Sequence, residues 1–210
     1  MRRTKEDAEQ TRKAILASAM DIFYEKGYSK TTFDEIAKRI NLTKGAVYWY
    51  FRNKPDIVAA LINEYMSDHL KSLQMFVANA PAKFSTIIDL VLFNNHQIKA
   101  DPMLYKYLFF ITCQMEWSET ILNKVQPSIE QTKQITRNLF NSVLINLQQS
   151  NKIKTDVDID EINEILMSMY SGLLEAYFTK RIKHNFDDLV QKGFMLIYNG
   201  IKTESAKNED

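Results

Sequence analysis

Residues 43–54 read TKGAVYWYFRNK, and this stretch gathers side chains suited to touching a polyanion. Lys44 and Lys54 bring positive charge. Tyr48, Trp49 and Tyr50 bring hydroxyl and indole N–H donors on stiff arms, with ring faces for sugars or thymine methyls. Thr43 stands where a helix would begin, so its hydroxyl and the free backbone N–H groups beside it suit a phosphate. Gly45 costs about 1 kcal/mol in a helix interior and wants a reason, which close approach of backbone to a duplex supplies. Ala46 follows as a second small residue. Successive helical side chains lie about 100° apart, so the four rings Tyr48–Phe51 cannot share one buried stripe. Val47 and Phe51, four residues apart, suit the core. Tyr48 and Trp49 then point outward, with Tyr50 between them.

The elements that would position this stretch are helical. Apolar residues Ile15, Leu16, Ala19, Met20 and Phe23 recur at helical offsets over 6–26, ahead of Gly27. A capping-box pattern, Thr32 and Glu35, opens a second helix with Phe33, Ile36, Ala37 and Ile40 on its buried side, ending near Asn41. A third runs from Thr43 to about Phe51. Two short helices joined by the tight turn INLT form a helix-turn-helix candidate, with 44–50 as the helix that enters the major groove. Thr32, at the start of the second helix, and Lys54, at the start of the fourth, are candidate phosphate contacts.

Charge points the same way. Residues 1–54 carry twelve Lys/Arg against seven Asp/Glu, a net +5, while the rest is −4, within a chain total of +1. A basic quarter on an acidic body suits a polyanion-binding head.

Further along, Asn53 and Asp56 have capping spacing ahead of a fourth helix to about Val77. A fifth spans 84–99. Asp101 and Pro102 open a sixth through Met115. A seventh is expected from near Pro127 to Gln149, an eighth over 159–182 and a ninth over 186–201. The tail TESAKNED is expected to be disordered. The fold class is therefore all-α: about nine helices, with a three-helix head at 1–54 and a ligand-binding and dimerisation bundle at 55–205. The eighth helix has a broad apolar stripe, and Phe194–Tyr198 wraps the ninth completely. Gly193 and Gly200 would admit another helix. The excess apolar surface on these two helices predicts a homodimer.

Other chemistries find no support. The single Cys113 allows no intrachain disulfide, and His69, His96 and His184 show no metal-ligand spacing. No phosphate-binding loop, dinucleotide fingerprint, zinc motif or nucleophile motif occurs, so no enzyme, cofactor or metal is expected. The apolar runs are too short to span a bilayer, and MRRTKEDAEQ leads into a charged helical pattern. A cytoplasmic protein is expected.

The run TTFDEIAKRINLTKGAVYWYFRNKPDIVAAL, preceded by TRKAILASAMDIFYEKGY, closely resembles the DNA-binding domain of TetR-family transcriptional repressors. The matching features are Gly27, Thr32, Ile36-Ala37, Thr43-Lys44-Gly45, Val47-Tyr48, Tyr50-Phe51 and Lys54. Many relatives have histidine where this chain has Tyr50. The segments AVYWYF, MEWSE and MSMYSGLLEAYFTKRIKHNFDD are similar to the branch that represses multidrug efflux pumps. The resemblance implies a palindromic operator, released when a small, aromatic or cationic effector binds in the C-terminal domain. The candidates there are Phe109, Thr112, Cys113, Glu116, Trp117, Tyr170, Ser171 and Phe178, aromatic walls with a few polar groups. Glu116 would pair a cation. The alternative is an activator or architectural DNA binder without a small ligand.

Overall fold

Side-chain caps decide where this chain enters its helices. The structure is a computed structural model and describes residues 4–204 and 206. Helix α1 (Lys5–Lys26) starts at Thr4, whose hydroxyl accepts from Asp7 N–H while the Asp7 carboxylate accepts from Thr4 N–H. Helix α2 (Phe33–Arg39) opens with the same reciprocal box between Thr32 and Glu35. Helix α3 (Lys44–Tyr50) is capped by Thr43, which accepts from Ala46 N–H. Asn53 accepts from Asp56 N–H ahead of α4 (Lys54–Ala78). Helix α5 (Phe84–Ala100) precedes α6 (Pro102–Phe109), capped by Asp101 with Pro102 in its first turn. Helices α7 (Glu119–Gln149), α8 (Ile159–Phe178) and α9 (Phe186–Ile201) follow. Among the described residues the only strand-like pairing is an isolated bridge between Ile153 and Lys202. The all-α architecture stands.

The helix ends depart from sequence expectation where backbone geometry takes over. The second, seventh and eighth helices stop through residues in the left-handed region, Asn41 (φ 55), Asn151 (φ 55) and Lys180 (φ 57). In each, the following N–H bonds back into the helix: Leu42 to Ala37 O, Lys152 to Leu147 O and Arg181 to Ala176 O. This motif satisfies carbonyls that would otherwise lack partners. It ends α8 at Phe178, earlier than the expected residue 182. The sixth helix does not continue to Met115: it passes at Phe110 into a π-helical turn, Phe110–Gln114. The seventh starts at Glu119, not near Pro127, which lies inside it. Proline removes one helical hydrogen bond there, yet Ile121 and Val125, upstream of it, are buried, and Leu122 N–H bonds Ser118 O. Burial holds the first turns in spite of the proline. Of the expected disordered tail, residues 205 and 207–210 lie outside the described residues.

Contacts divide the chain into two units. One comprises Met1–Asp68 with Asp101–Gln131, the other His69–Ala100 with Thr132–Asp210. In the first, Ile15, Leu16, Ala19, Met20 and Phe23 of α1 are buried with Ile36 and Ala37 of α2 and Val47 of α3. The buried Ser18 hydroxyl donates to Ile36 O, and Arg39 grips Glu25 through two hydrogen bonds, so α2 is tied to α1 by core and rim. Phe110 stacks on Phe23 at 4.9 Å, and Lys106 pairs with Asp21 at 2.6 Å. In the second unit α5 and α9 pack together, as do α8 and α9. Phe84, Val91, Phe140, Leu144, Leu166, Val190 and Phe194 form part of its core. Gly193 works inside the chain: a Cβ there would stand 2.7 Å from Met169 Sδ of α8. Its close helix approach is to α8, whereas a Cβ at Gly200 would meet nothing within 4 Å.

Candidate nucleic-acid interface and ligand cavity

Helix α3 is short and anchored by few side chains. Val47 is fully buried and Phe51 is 5% exposed, whereas Tyr48 is 51% and Trp49 75% exposed. The core stripe and the solvent face therefore fall where residue spacing placed them. Tyr48 leans on Phe33 of α2, ring centroids 4.7 Å apart, and the Lys44 ammonium sits 5.8 Å from the Tyr48 ring. Trp49 meets Tyr50 edge-on at 4.6 Å. Tyr50 takes an intermediate direction: it is half-buried, and its hydroxyl is shielded from water with no hydrogen-bond partner among the described residues. An unmet buried hydroxyl costs about 1–3 kcal/mol. Gly45 is exposed, and a Cβ there would meet nothing closer than Thr43 Oγ1 at 3.9 Å. Packing within the chain gives no reason for this glycine.

An open groove of about 560 Å³ runs along α3, walled by Thr43, Gly45, Ala46, Trp49 and Tyr50 on one side and by Thr4, Lys5 and Ala8 on the other. The first turn of α1 was not singled out by sequence reasoning, which had no local signal linking it to residues some forty positions away; Lys5 was legible only as part of the basic quarter.

The cations of the head sort into two groups. Arg12, Lys13, Lys26, Lys38 and Arg39 are paired with carboxylates. Among the described residues, Lys5, Lys30, Lys44, Arg52 and Lys54 have no carboxylate within ion-pair distance. One of these, Lys5, lines the α3 groove, and Lys44 stands on α3 between the lining residues Thr43 and Gly45. Lys54 is engaged otherwise: its ammonium donates to Tyr28 O at 2.7 Å and Ser29 O at 3.2 Å, and lies 4.3 Å from the Tyr28 ring. Burial lowers its pKa, opposed by the nearby Glu116 carboxylate. Thr32 is likewise occupied, its hydroxyl donating to Glu35 Oε2 at 2.8 Å and its N–H to the same oxygen at 3.0 Å. Glu35 also accepts from Lys26, and these bonds, Lys26 first and Thr32 second, hold its carboxyl down at about 2. A phosphate at the α2 start would meet a carboxylate already seated there.

The eight effector candidates divide between the two units. Phe109, Thr112, Cys113, Glu116 and Trp117 lie in the first, on or just after α6 and the π-turn. Phe109 packs edge-on against Tyr24 at 5.2 Å. Thr112 is exposed, Trp117 is 40% exposed, and Cys113 is half-buried and in no disulfide. Glu116 is exposed and accepts a hydrogen bond from Ser29 Oγ. In the second unit Phe178 is buried, Ser171 lies on an open surface groove, and Tyr170 lines a cavity of about 40 Å³. No group of three potential metal-binding side chains occurs among the described residues. No described helix is long and apolar enough to cross a membrane.

Comparison with known proteins fits this arrangement. Residues 15–61 match the family described as bacterial regulatory proteins, tetR family. The HTH-type transcriptional regulator TtgR of Pseudomonas putida is 42% identical over 69 residues, 33% of this chain and 33% of TtgR, so the chain spans about a third of that relative. The HTH-type transcriptional repressor BepR of Brucella suis is 26% identical over 216 residues, 98% of this chain and 94% of BepR. Among solved structures, NalD, the secondary repressor of the MexAB-OprM multidrug efflux pump in Pseudomonas aeruginosa, superposes with a TM-score of 0.79 at 22% identity, covering 95% of this chain and 100% of NalD.

Proposed function

We propose, from the match of residues 15–61 to the tetR family of bacterial regulatory proteins, that the chain is a ligand-responsive transcriptional repressor. The head, residues 1–54, binds DNA; the remainder, 55–205, carries the effector site and the dimer contacts. One observation carries the reading: α3 leaves Tyr48 and Trp49 in water beside Lys44 and an exposed Gly45 that nothing inside the chain requires. A free-standing fold gains nothing from that face; a duplex does, through phosphate and base-edge donors and close backbone approach. In this reading α3 enters the major groove with Thr43, Lys44, Gly45, Ala46, Tyr48 and Trp49 against DNA. Lys5 joins them from the far wall of the groove. Tyr50 gains a partner for its stranded hydroxyl. Thr32 and Lys54 contact phosphates only if Glu35, and the Tyr28 and Ser29 carbonyls, give way.

Dimerisation through α8 and α9 is supported by Ile165 and Leu196, 51% and 74% exposed on these helices. Two heads related by a two-fold axis read a palindrome with half-sites set by their spacing. The effector acts by binding the DNA-incompetent form more tightly; equal affinity for both forms would shift nothing. The protein works in the cytoplasm and catalyses no reaction, in keeping with relatives named as transcriptional regulators.

The test is selection of duplexes from a random library by the purified protein, followed by fluorescence anisotropy on the selected sequence. The expected outcome is a palindromic site whose binding falls steeply with salt, with Lys44→Ala and Tyr48→Phe each weakening it. Recovery of no preferred sequence, or unchanged affinity for both variants, would sink the proposal.

A further inference from the structure

A line of hydrogen bonds crosses the apolar core of the second unit. His69 Nε2 stands 2.7 Å from Asn94 Oδ1, and Asn94 Nδ2 lies 2.6 Å from the Tyr170 hydroxyl. That hydroxyl is 2.7 Å from Asn95 Oδ1, and Asn95 Nδ2 is 3.1 Å from Asp187 Oδ1. Lys99 pairs with the other Asp187 oxygen at 2.8 Å. The chain joins α4, α5, α8 and α9.

Its polarity follows from its end. An ionised carboxylate only accepts, so Asn95 must turn its amide N–H toward Asp187 and its oxygen toward Tyr170. Tyr170 therefore spends its single proton on Asn95 and must accept from Asn94. Asn94 then presents its oxygen to His69, which must carry a proton on Nε2. Burial raises the Tyr170 pKa far above its ordinary value, so the hydroxyl stays neutral across the working range.

Two capacities remain. Asn94 keeps a second amide N–H, and the Tyr170 oxygen keeps one lone pair; neither residue makes another hydrogen bond to a described residue. Both line the same cavity, whose other walls are Leu73, Leu90, Val91, Leu139, Phe140, Met167 and the Thr136 side chain. No acidic side chain lines it. Its volume, about 40 Å³, is far below the ~150 Å³ that accommodates benzene, so a ligand must displace a wall. Met167 is the wall suited to move. It is the one described residue shared with the open groove of about 410 Å³ between Lys133, Arg137, Asn163, Glu164, Ser168 and Ser171, and methionine's unbranched stem repacks readily.

We infer that this cavity is the effector site and that it takes a neutral apolar molecule bearing a hydroxyl, entering past Met167, with the hydroxyl accepting from Asn94 and donating to Tyr170. The inference rests on the reading of the chain as an effector-responsive repressor, and it replaces the expected cation held by Glu116 with an uncharged ligand. A cation would enter a space with no counter-charge, and an ether would leave the Tyr170 lone pair unmet.

The test is calorimetry on the full chain with three congeners: 4-propylphenol, its methyl ether 4-propylanisole, and 4-propylbenzylammonium. The phenol should bind at least about tenfold more tightly than either other probe, the scale of one hydrogen bond. Tyr170→Phe keeps the ring and should bring the phenol down to the ether. Met167→Trp, checked for retained helicity by circular dichroism, should abolish phenol binding. Equal affinity for phenol and ether, tightest binding of the ammonium, or no binding of the phenol would each overturn the inference. The wild-type comparison decides even if Tyr170→Phe fails to fold. Operator release by the ammonium alone would refute this site while sparing the repressor reading; selective phenol binding without operator release would do the reverse.

Discussion

Replacing Gly45 by alanine separates the two reasons a short helix could carry glycine. Gly45 is the second residue of α3, and its built Cβ finds Thr43 Oγ1 at 3.9 Å, ordinary van der Waals contact. Its backbone is not in the left-handed region, where a side chain would be strained. Alanine should therefore stabilise the free protein by about 0.5–1 kcal/mol, through higher helix propensity and a less mobile unfolded chain. Against DNA the sign reverses. If the α3 backbone lies in contact with the duplex, an added methyl is overpacking, which costs about 1–3 kcal/mol per head. That corresponds to roughly 5- to 150-fold weaker binding per head. The assay pairs urea denaturation of the free protein with anisotropy titration of the selected duplex, on the same preparations. Higher stability together with weaker binding is the expected result. Unchanged operator affinity would refute close backbone approach at Gly45, and a destabilised free protein would show that the glycine has an internal role which the open space around it denies.

Three further outcomes are expected. Lys44→Ala should lower operator affinity and reduce the slope of log affinity against log salt by about 0.9 per head, as expected for one lost phosphate contact; an unchanged slope would place Lys44 away from phosphate. The Glu35 carboxyl, held at about 2 by Lys26 and Thr32 against an ordinary value of 4.5, favours the folded head fully above the ordinary value, and the contribution disappears as pH falls through the folded value. Carboxyl NMR should show the low midpoint in the wild type and a rise toward the ordinary value in Lys26→Met; coincident titrations would count against the pairing. Leu196→Glu should dissociate the dimer, since burying an unpaired charge costs about 3 kcal/mol or more, and sedimentation should report a monomer with unchanged helicity; a persistent dimer would exclude this face.

Much of the head was legible because its decisive interactions are local. The box at Thr32–Glu35 and the cap at Asn53 in the head, like the caps at Asp101, Asp158 and Asn185 beyond it, join residues two to three apart, and each is formed. The division of Val47 and Phe51 from Tyr48 and Trp49 needed only the helical repeat. The long seventh helix misled because proline is a local signal, whereas burial of Ile121 and Val125, which favours the earlier start, depends on side chains distant in sequence.

The sequence by itself determined an all-helical chain, its caps, its basic head and the exposed aromatic face, since a few neighbouring dihedrals and one repeat angle suffice for these. Tertiary structure alone decided what lies across from each candidate. It set the first turn of α1 opposite α3, bound Lys54 to the Tyr28 and Ser29 carbonyls, gave Glu116 to Ser29, and threaded His69, Asn94, Tyr170, Asn95 and Asp187 into one line of hydrogen bonds. Such partnerships arise only when segments far apart in sequence are packed to hydrogen-bonding distance, and no local pattern records which polar groups that packing will bring together.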